Sequence, residues 1–172
     1  MTTEEIQNLT KKDIIALLEI CRRGMRFQDG FWFMKVEDIW GIEKAIEIDA
    51  DIWSRFGKYE AELLLAAFKW DKKDMSTLIK ALRLAPSWLF FDYTIEQISD
   101  IEAIFQVKNC LAQTGRLRVG RDIFACRRVD EGYLTNFVKV INPGIKIECE
   151  FSPPDKYFTD LWCRWRFYIE TR

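Results

Sequence analysis

With 172 residues and a formal net charge of −1, the chain suits one domain, residues 1–172, and lacks the strongly basic character typical of nucleic-acid-binding proteins. The absence of histidine excludes Ser-His and Cys-His nucleophile pairs, histidine zinc motifs and a proximal haem histidine. Because 15% of the residues are aromatic, we expect either a core built around large flat side chains or a pocket lined by them.

The first part of the chain, residues 1–86, has apolar residues at helical spacing. Thr10 and Asp13 predict a capping box that opens a helix reaching Cys21. Further helices are predicted from Phe27 to Trp40, from Ile42 toward Trp70 with Gly57 as a candidate break, and from Asp74 to Ala85. Pro86 ends the last of them, because proline cannot continue a helix.

The second part, residues 87–172, shifts toward the period of two that is typical of strands. Strands are predicted at 88–98, 101–109, 145–151 and 162–169, with a helix at about 127–141. Helices followed by antiparallel strands predict an α+β fold, in which N-terminal helices cover one face of a four-stranded antiparallel sheet and one late helix is inserted.

Asp49 interrupts the apolar stripe of the third predicted helix. The stripe contains Ile42, Ala45, Ile46, Ile52, Trp53 and Phe56, whereas Glu43, Glu47 and Asp51 fall outside it. An unpaired buried charge costs several kcal/mol, so this carboxyl is protonated, paired with a base, or turned toward a polar pocket. A structural ion pair is the plainer alternative, and a role in ligand binding or proton transfer is the other.

The second predicted helix places two acids beside an aromatic row. Asp29 and Glu37 flank Trp32 and Phe33 on one broad face. Such a face usually belongs to a core, but if it lines a cavity the acids could hold a cationic or hydrogen-bonding ligand. In a chain without histidine, Glu37 and Asp49 are also candidate catalytic acids or bases.

Five cysteines in a chain without an export signal predict reduced thiols and a cytoplasmic location, and no apolar stretch is long enough for insertion into a membrane. Cys110 is a candidate nucleophile. Antiparallel pairing of the last two strands would bring Cys149 near Cys163, and with Cys126 these thiols would suit zinc. The alternative is that they are small buried hydrophobic residues.

Two blocks of motifs resemble a known family. The first is AspGlyPheTrpPhe at 29–33, followed by Glu37, Gly41, Ala45, Asp49 and Trp53. The second comprises Cys110, Gln113, Arg116, Gly120, Phe124, Cys126, the run at 141–145, Cys149, ProProAsp at 153–155, and TrpCysxTrpxPhe at 162–167. Together they resemble an uncharacterised family of prokaryotic cytosolic proteins grouped with L-2-amino-thiazoline-4-carboxylate hydrolase-like proteins. Taken from the helical faces and from these motifs, the candidate ligand-binding residues are Asp29, Trp32, Phe33, Trp53, Gln113 and Arg116.

The order of elements more distantly resembles the 4-vinyl-reductase type of domain, a ligand-binding fold also used in haem nitric-oxide sensors. That resemblance implies a structural zinc held by Cys126, Cys149 and Cys163 with a fourth ligand at position 152. This chain has Ser152 there, a poor zinc ligand, so water, Asp155 or Glu148 would have to complete the shell. The missing histidine excludes haem as a cofactor.

Two classes of function follow. The first is a protein that binds or senses a small aromatic or cyclic ligand, and the alternative is a hydrolase of a cyclic amidine, thiazoline-type or amide bond that uses carboxylates or a cysteine. A homodimer is compatible with the surplus of aromatic residues.

Overall fold

The computed structural model describes residues 2–89, 91–155 and 160–170 of the chain. Its helices are α1 Thr3–Gln7, α2 Lys11–Trp40, α3 Ile42–Phe68, α4 Met75–Leu84, α5 Leu111–Arg118 and α6 Arg127–Ile141. Its strands are β1 Asp92–Ser99, β2 Glu102–Asn109, β3 Lys146–Phe151 and β4 Cys163–Tyr168. This mixture confirms the predicted α+β class.

The four strands form one antiparallel sheet in the order β1-β2-β4-β3. One face carries fully buried Phe105, Trp165 and Phe167. The opposite face carries Arg164 and Arg166, which form ion pairs with glutamates of the neighbouring strands. This alternation is the pattern expected of an antiparallel sheet with one covered face.

Helices α4 and α6 lie against the covered face, α3 packs along α6, and α2 packs along α3. The α3–α6 contact is close at Gly57, where an added Cβ would overlap the backbone carbonyl of Tyr133. The prediction of a break at Gly57 is wrong, because α3 runs through it. The missing side chain serves the approach of the two helices instead.

Helix α2 begins at the predicted capping box, with Thr10 Oγ1 accepting a hydrogen bond from the backbone N–H of Asp13 at 3.2 Å. It is one continuous helix, so the predicted gap between Cys21 and Phe27 is wrong. Ion pairs from Arg22 and Arg23 to Glu19 support the helix there. Within the described residues, neither this helix nor any other has both the length and the apolar composition needed to cross a membrane.

Three further elements differ from the prediction. The segment after β2 forms α5, a helix that was not predicted. The residues that α5 buries, Gln113 and Arg116, are polar, so the sequence shows no apolar helical period there. The strand expected from Trp88 begins only at Asp92, because Pro86–Trp88 forms a 3-10 turn that buries Trp88. The short helix α1 was not predicted.

Candidate functional site

A cavity of about 350 Å³ lies among α2, α3, α5, α6 and the beginning of β4. Its volume is at the lower end of the range of small-molecule sites. Its walls are mostly apolar, and the aromatic side chains that line it include Phe33, Trp53, Trp88, Phe91, Phe124, Tyr133 and Trp162. Phe27 and Phe31 also line it, and because both are at least half exposed they mark its solvent-facing rim.

Three carboxyl groups meet at this cavity from three different helices. Asp29 comes from α2, Asp49 from α3 and Asp130 from the first turn of α6, and each side chain is half-buried. No basic side chain in the described residues forms an ion pair with any of them. The acids are therefore held among apolar walls without a counter-charge.

The environment raises the pKa of all three acids. Burial is the main cause, and it raises the pKa of Asp29 to about 6, of Asp130 to about 7 and of Asp49 to about 8. The charges of the other two acids add to the shift of Asp49, whereas hydrogen bonding to Trp53 opposes the shifts of Asp29 and Asp49. Near neutral pH the cavity therefore offers both carboxylates and a protonated carboxylic acid.

Glu37 has the opposite environment. Arg116 donates from Nη1 and Nη2 to the two carboxylate oxygens of Glu37, at 2.7 and 2.9 Å, and Arg121 donates to Oε2 at 2.8 Å. The hydrogen bonds from Arg116, followed by the charges of both arginines, hold the pKa of Glu37 below its ordinary value. Glu37 does not line the cavity and acts as a structural anion.

Arg116 lines the cavity, but its polar atoms are already bound. Besides the two bonds to Glu37, its Nε donates to the backbone carbonyl of Asp122 at 2.8 Å. The guanidinium also lies over the rings of Phe33 and Phe124, with 5.3 and 5.4 Å from Cζ to the ring centroids. Arg116 therefore braces the aromatic wall, and it has no free bidentate edge for a ligand carboxylate.

Gln113 is fully buried beside the cavity and fixes the segment that leads into α6. Its Nε2 donates to the carbonyl of Phe124 at 2.9 Å, and its Oε1 accepts from the N–H of Phe124 at 3.1 Å. These bonds hold Phe124 against Phe33, with 4.7 Å between ring centroids. Both polar ends of Gln113 are used within the chain, so it positions the wall.

Three thiols line the cavity, those of Cys110, Cys126 and Cys163, whereas Cys149 does not. Burial raises the pKa of Cys110 to about 12 and holds the pKa values of Cys126 and Cys163 well above the ordinary value. The reactive form of cysteine is the thiolate. The predicted nucleophile Cys110 is therefore held as an unreactive thiol.

The zinc set implied by the distant resemblance does not fit these residues. In the described ranges, no three or more cysteine, aspartate and glutamate side chains are grouped so that they could hold a metal ion. Asp155 accepts a hydrogen bond from the backbone N–H of Ser152 at 3.1 Å and is ion-paired with Arg127. The side chains of Ser152 and Asp155 are therefore not available as further metal ligands beside the cavity thiols.

Of the aromatic candidates, Phe33 and Trp53 line the cavity and Trp32 does not. Trp32 is 52% exposed, because it lies about 100° further round α2 than Phe33. Of the acidic candidates, Asp29 and Asp49 share the cavity with Trp53. The structure thus brings together one acid and one aromatic residue from each of the two predicted helical faces, and a further acid that the sequence analysis did not single out, Asp130.

Asp130 had a recognisable signal in the sequence. It lies three, four and seven residues before Tyr133, Leu134 and Phe137, which are all buried in α6. This is the same pattern, a carboxyl within an apolar stripe, that drew attention to Asp49.

Glu60 is a further acid in an apolar stripe, on α3, and it was also missed. It is buried behind the cavity wall, where its carboxylate accepts hydrogen bonds from the Ser87 N–H at 3.1 Å, the Ser87 hydroxyl at 2.8 Å and the Tyr133 hydroxyl. Both donors line the cavity. Glu60 is therefore a fully bonded buried acid that orients two wall residues.

Comparison with known families gives a match that covers nearly the whole chain. The model of a family described as "Family of unknown function (DUF6125)" matches residues 7–169, a span that includes every residue lining the cavity. A comparison with curated proteins finds no match to the chain. The chain belongs to the DUF6125 family of unknown function.

Proposed function

We propose that this protein binds a small aromatic or cyclic molecule in the cavity among α2, α3 and α6. The observation that carries the proposal is the meeting of Asp29, Asp49 and Asp130 among aromatic walls without a basic partner. Buried carboxyls without a counter-charge lower the stability of the fold. A bound ligand that supplies their partners would recover that loss, as in other small-molecule sites.

A contrast between the buried acids supports the proposal. Glu60 accepts three hydrogen bonds, two from Ser87 and one from Tyr133, as expected of a purely structural acid. Asp29 and Asp49 share Trp53 as their hydrogen-bonding side chain, and Asp130 has Cys126. Because a carboxylate accepts up to about four hydrogen bonds, these three acids retain acceptor positions for a ligand.

The test is ligand-detected NMR screening of a library of small aromatic compounds against the wild type and two tryptophan variants. Ala112→Trp adds an indole at a cavity-lining position, whereas Ala66→Trp adds one on an exposed part of α3. We expect compounds that bind the wild type and Ala66→Trp but not Ala112→Trp. The proposal fails if no compound binds, or if binding survives in Ala112→Trp.

A second candidate function is hydrolysis of a cyclic amidine, thiazoline-type or amide bond. One observation favours it: Asp29 and Asp49, with pKa values of about 6 and 8, lie on either side of neutrality beside the same Trp53. Two carboxyls with separated pKa values are the arrangement of acid–base catalysis. Asp29 would accept a proton from the attacking water, and Asp49 would give one to the departing nitrogen.

The direct assay is incubation with 2-amino-thiazoline-4-carboxylate, with the open-chain product followed by mass spectrometry. If the protein is a hydrolase of this class, the wild type forms product and Asp49→Asn does not, while Cys110→Ser retains activity because its thiol is held protonated. No product from the wild type would remove this substrate from consideration. Product from Asp49→Asn at the wild-type rate would exclude Asp49 as the acid.

A further inference from the structure

Among the described residues, the charged groups in the interior of the cavity that lack a counter-charge are all acidic. Its three acids come from α2, α3 and α6, and Asp49 is close enough to Asp29 and Asp130 for both charges to act on it. Like charges that approach one another in a poorly hydrated space repel strongly. A positive group placed among them would remove this repulsion for all three acids at once.

Basic side chains do not fulfil that role within the described residues. Those that line the cavity are Arg26, Arg116 and Arg118. Arg116 is neutralised by Glu37. Arg118 is exposed, and the guanidinium of Arg26 lies 4.7 Å from the ring centroid of the half-exposed Phe27, so both belong to the rim. The interior of the cavity therefore has an excess of acidic groups that its own chain does not balance.

The aromatic walls add a second attraction for positive charge. Trp53 hydrogen-bonds toward Asp29 and Asp49 and packs edge-to-face with Tyr133, with 5.9 Å between ring centroids. Trp88 also packs edge-to-face with Tyr133, at 5.6 Å. Indole and phenol rings attract cations, so a wall that contains Trp53, Trp88 and Tyr133 favours a positively charged ligand.

We infer that the ligand is a flat organic cation, an amine or amidinium whose charged end lies against Asp29, Asp49 and Asp130 while its body contacts the aromatic walls. The inference rests on the proposed binding function and narrows it to one ligand class. An amidinium has N–H donors for more than one carboxylate, so it suits acids that arrive from different helices.

The alternatives fit less well. The described residues contain no grouping of three acids and thiols able to hold a metal ion, so a bare metal cation is not favoured. A neutral ligand would leave the carboxylates of the cavity without a counter-charge. An anion would have to approach three acids, with exposed or half-exposed arginines only at the rim.

Three probes of the same size and different charge separate these cases. Benzamidine is cationic, benzamide neutral and benzoate anionic, and their binding is measured by isothermal titration calorimetry at pH 7.5. We expect benzamidine to bind at least about tenfold more tightly than benzamide, and benzoate to bind most weakly, because a charge-assisted hydrogen bond adds to the shared contacts of the ring.

The acids themselves are tested by charge-neutralising variants. Asp29→Asn and Asp49→Asn should each weaken benzamidine binding by about tenfold, because a bound cation holds both carboxyls in their ionised form and Asp49 releases its proton on binding. Benzamide binding should be nearly unchanged. Asp51→Asn is the matched control, because Asp51 lies on the same helix as Asp49 but is exposed and ion-paired with Arg55. It should not change either affinity.

The outcomes distinguish failure of the inference from failure of the proposed function. Equal binding of the three probes, or a preference for benzoate, would overturn the cation inference and leave ligand binding in the cavity intact. Benzamidine binding that is unaffected by Asp29→Asn and Asp49→Asn would place the cation elsewhere and also overturn it. If no probe binds and the aromatic library gives no ligand, the proposed function itself fails.

Discussion

Asp29 and Glu37 stand about two turns apart on α2, yet they have opposite environments. Glu37 is bound by Arg116 and Arg121, and its pKa is lowered. Asp29 faces the cavity without a base, and burial raises its pKa to about 6. The role of each acid is therefore set by what the rest of the chain places against it, which is arginine at Glu37 and a poorly hydrated apolar wall at Asp29.

The largest effect on stability is expected when the charge of Glu37 is removed. Glu37→Gln should lower the free energy of unfolding by about 3 kcal/mol, because it leaves the charge of Arg116 buried without a full partner. The two side chains are only 17% and 7% exposed, so solvent cannot replace the lost contact. Chemical denaturation at pH 7.5 measures the effect, with the exposed Glu43→Gln as control. A loss no larger than that of the control would contradict the structural role.

The corresponding substitution at the cavity, Asp49→Asn, should have the opposite effect and raise the free energy of unfolding. The pKa of Asp49 is raised in the fold to about 8, so the folded state binds its proton more tightly than the unfolded state. This favourable contribution is complete at low pH and is lost as the pH rises through 8. Asp49→Asn keeps the position neutral, so it should be more stable than the wild type by about 2 kcal/mol at pH 8.5.

The control for this prediction is the pH dependence itself. Near pH 3, where Asp49 is protonated in both the folded and the unfolded state, Asp49→Asn and the wild type should differ little in stability. Asp51→Asn should show no such pH-dependent gain. If Asp49→Asn is less stable than the wild type at both pH values, the ionised form of Asp49 stabilises the fold. Asp49 and Glu37 would then not differ in the way described.

A smaller loss of stability is expected when Arg121 is replaced, at the edge of the group of ion pairs around Glu37. Arg121 bridges Glu37 and the half-exposed Asp38, and it is itself 27% exposed. Arg121→Gln should therefore cost only about 0.5–1 kcal/mol, because Arg116 still neutralises Glu37 and water can reach the site. Thermal unfolding of Arg121→Gln and Glu37→Gln, measured side by side, ranks the two losses of stability. A larger loss for Arg121→Gln would mean that Arg121, and not Arg116, is the principal partner of Glu37.

Much of the fold and part of the site could be predicted from local patterns. The capping box at Thr10 and Asp13, the strands and the late helix follow from nearest-neighbour signals. Asp49 was identifiable because a carboxyl within an apolar stripe is conspicuous. Asp130 carries the same signal and could have been found in the same way.

The rest depends on tertiary contacts that no local pattern encodes. Phe33 and Trp32 are adjacent on a broad apolar face, and only the packing of α3 and the segment before α6 decides that Phe33 is buried and Trp32 exposed. Helix α5 has few apolar residues, and its buried Gln113 and Arg116 are held by partners distant in sequence. The pairing of Glu37 with arginine was not visible for the same reason.

The most direct test of the central claim is a titration of the aspartate side-chain carboxyl carbons by 13C NMR in the wild type and in Asp49→Asn. We expect one aspartate resonance to titrate near pH 8, to vanish in Asp49→Asn, and to be accompanied by cavity aspartates that titrate near pH 6 and 7. If every aspartate titrates below about pH 5, as ordinary exposed carboxyls do, the cavity acids are hydrated or paired, and the account is contradicted.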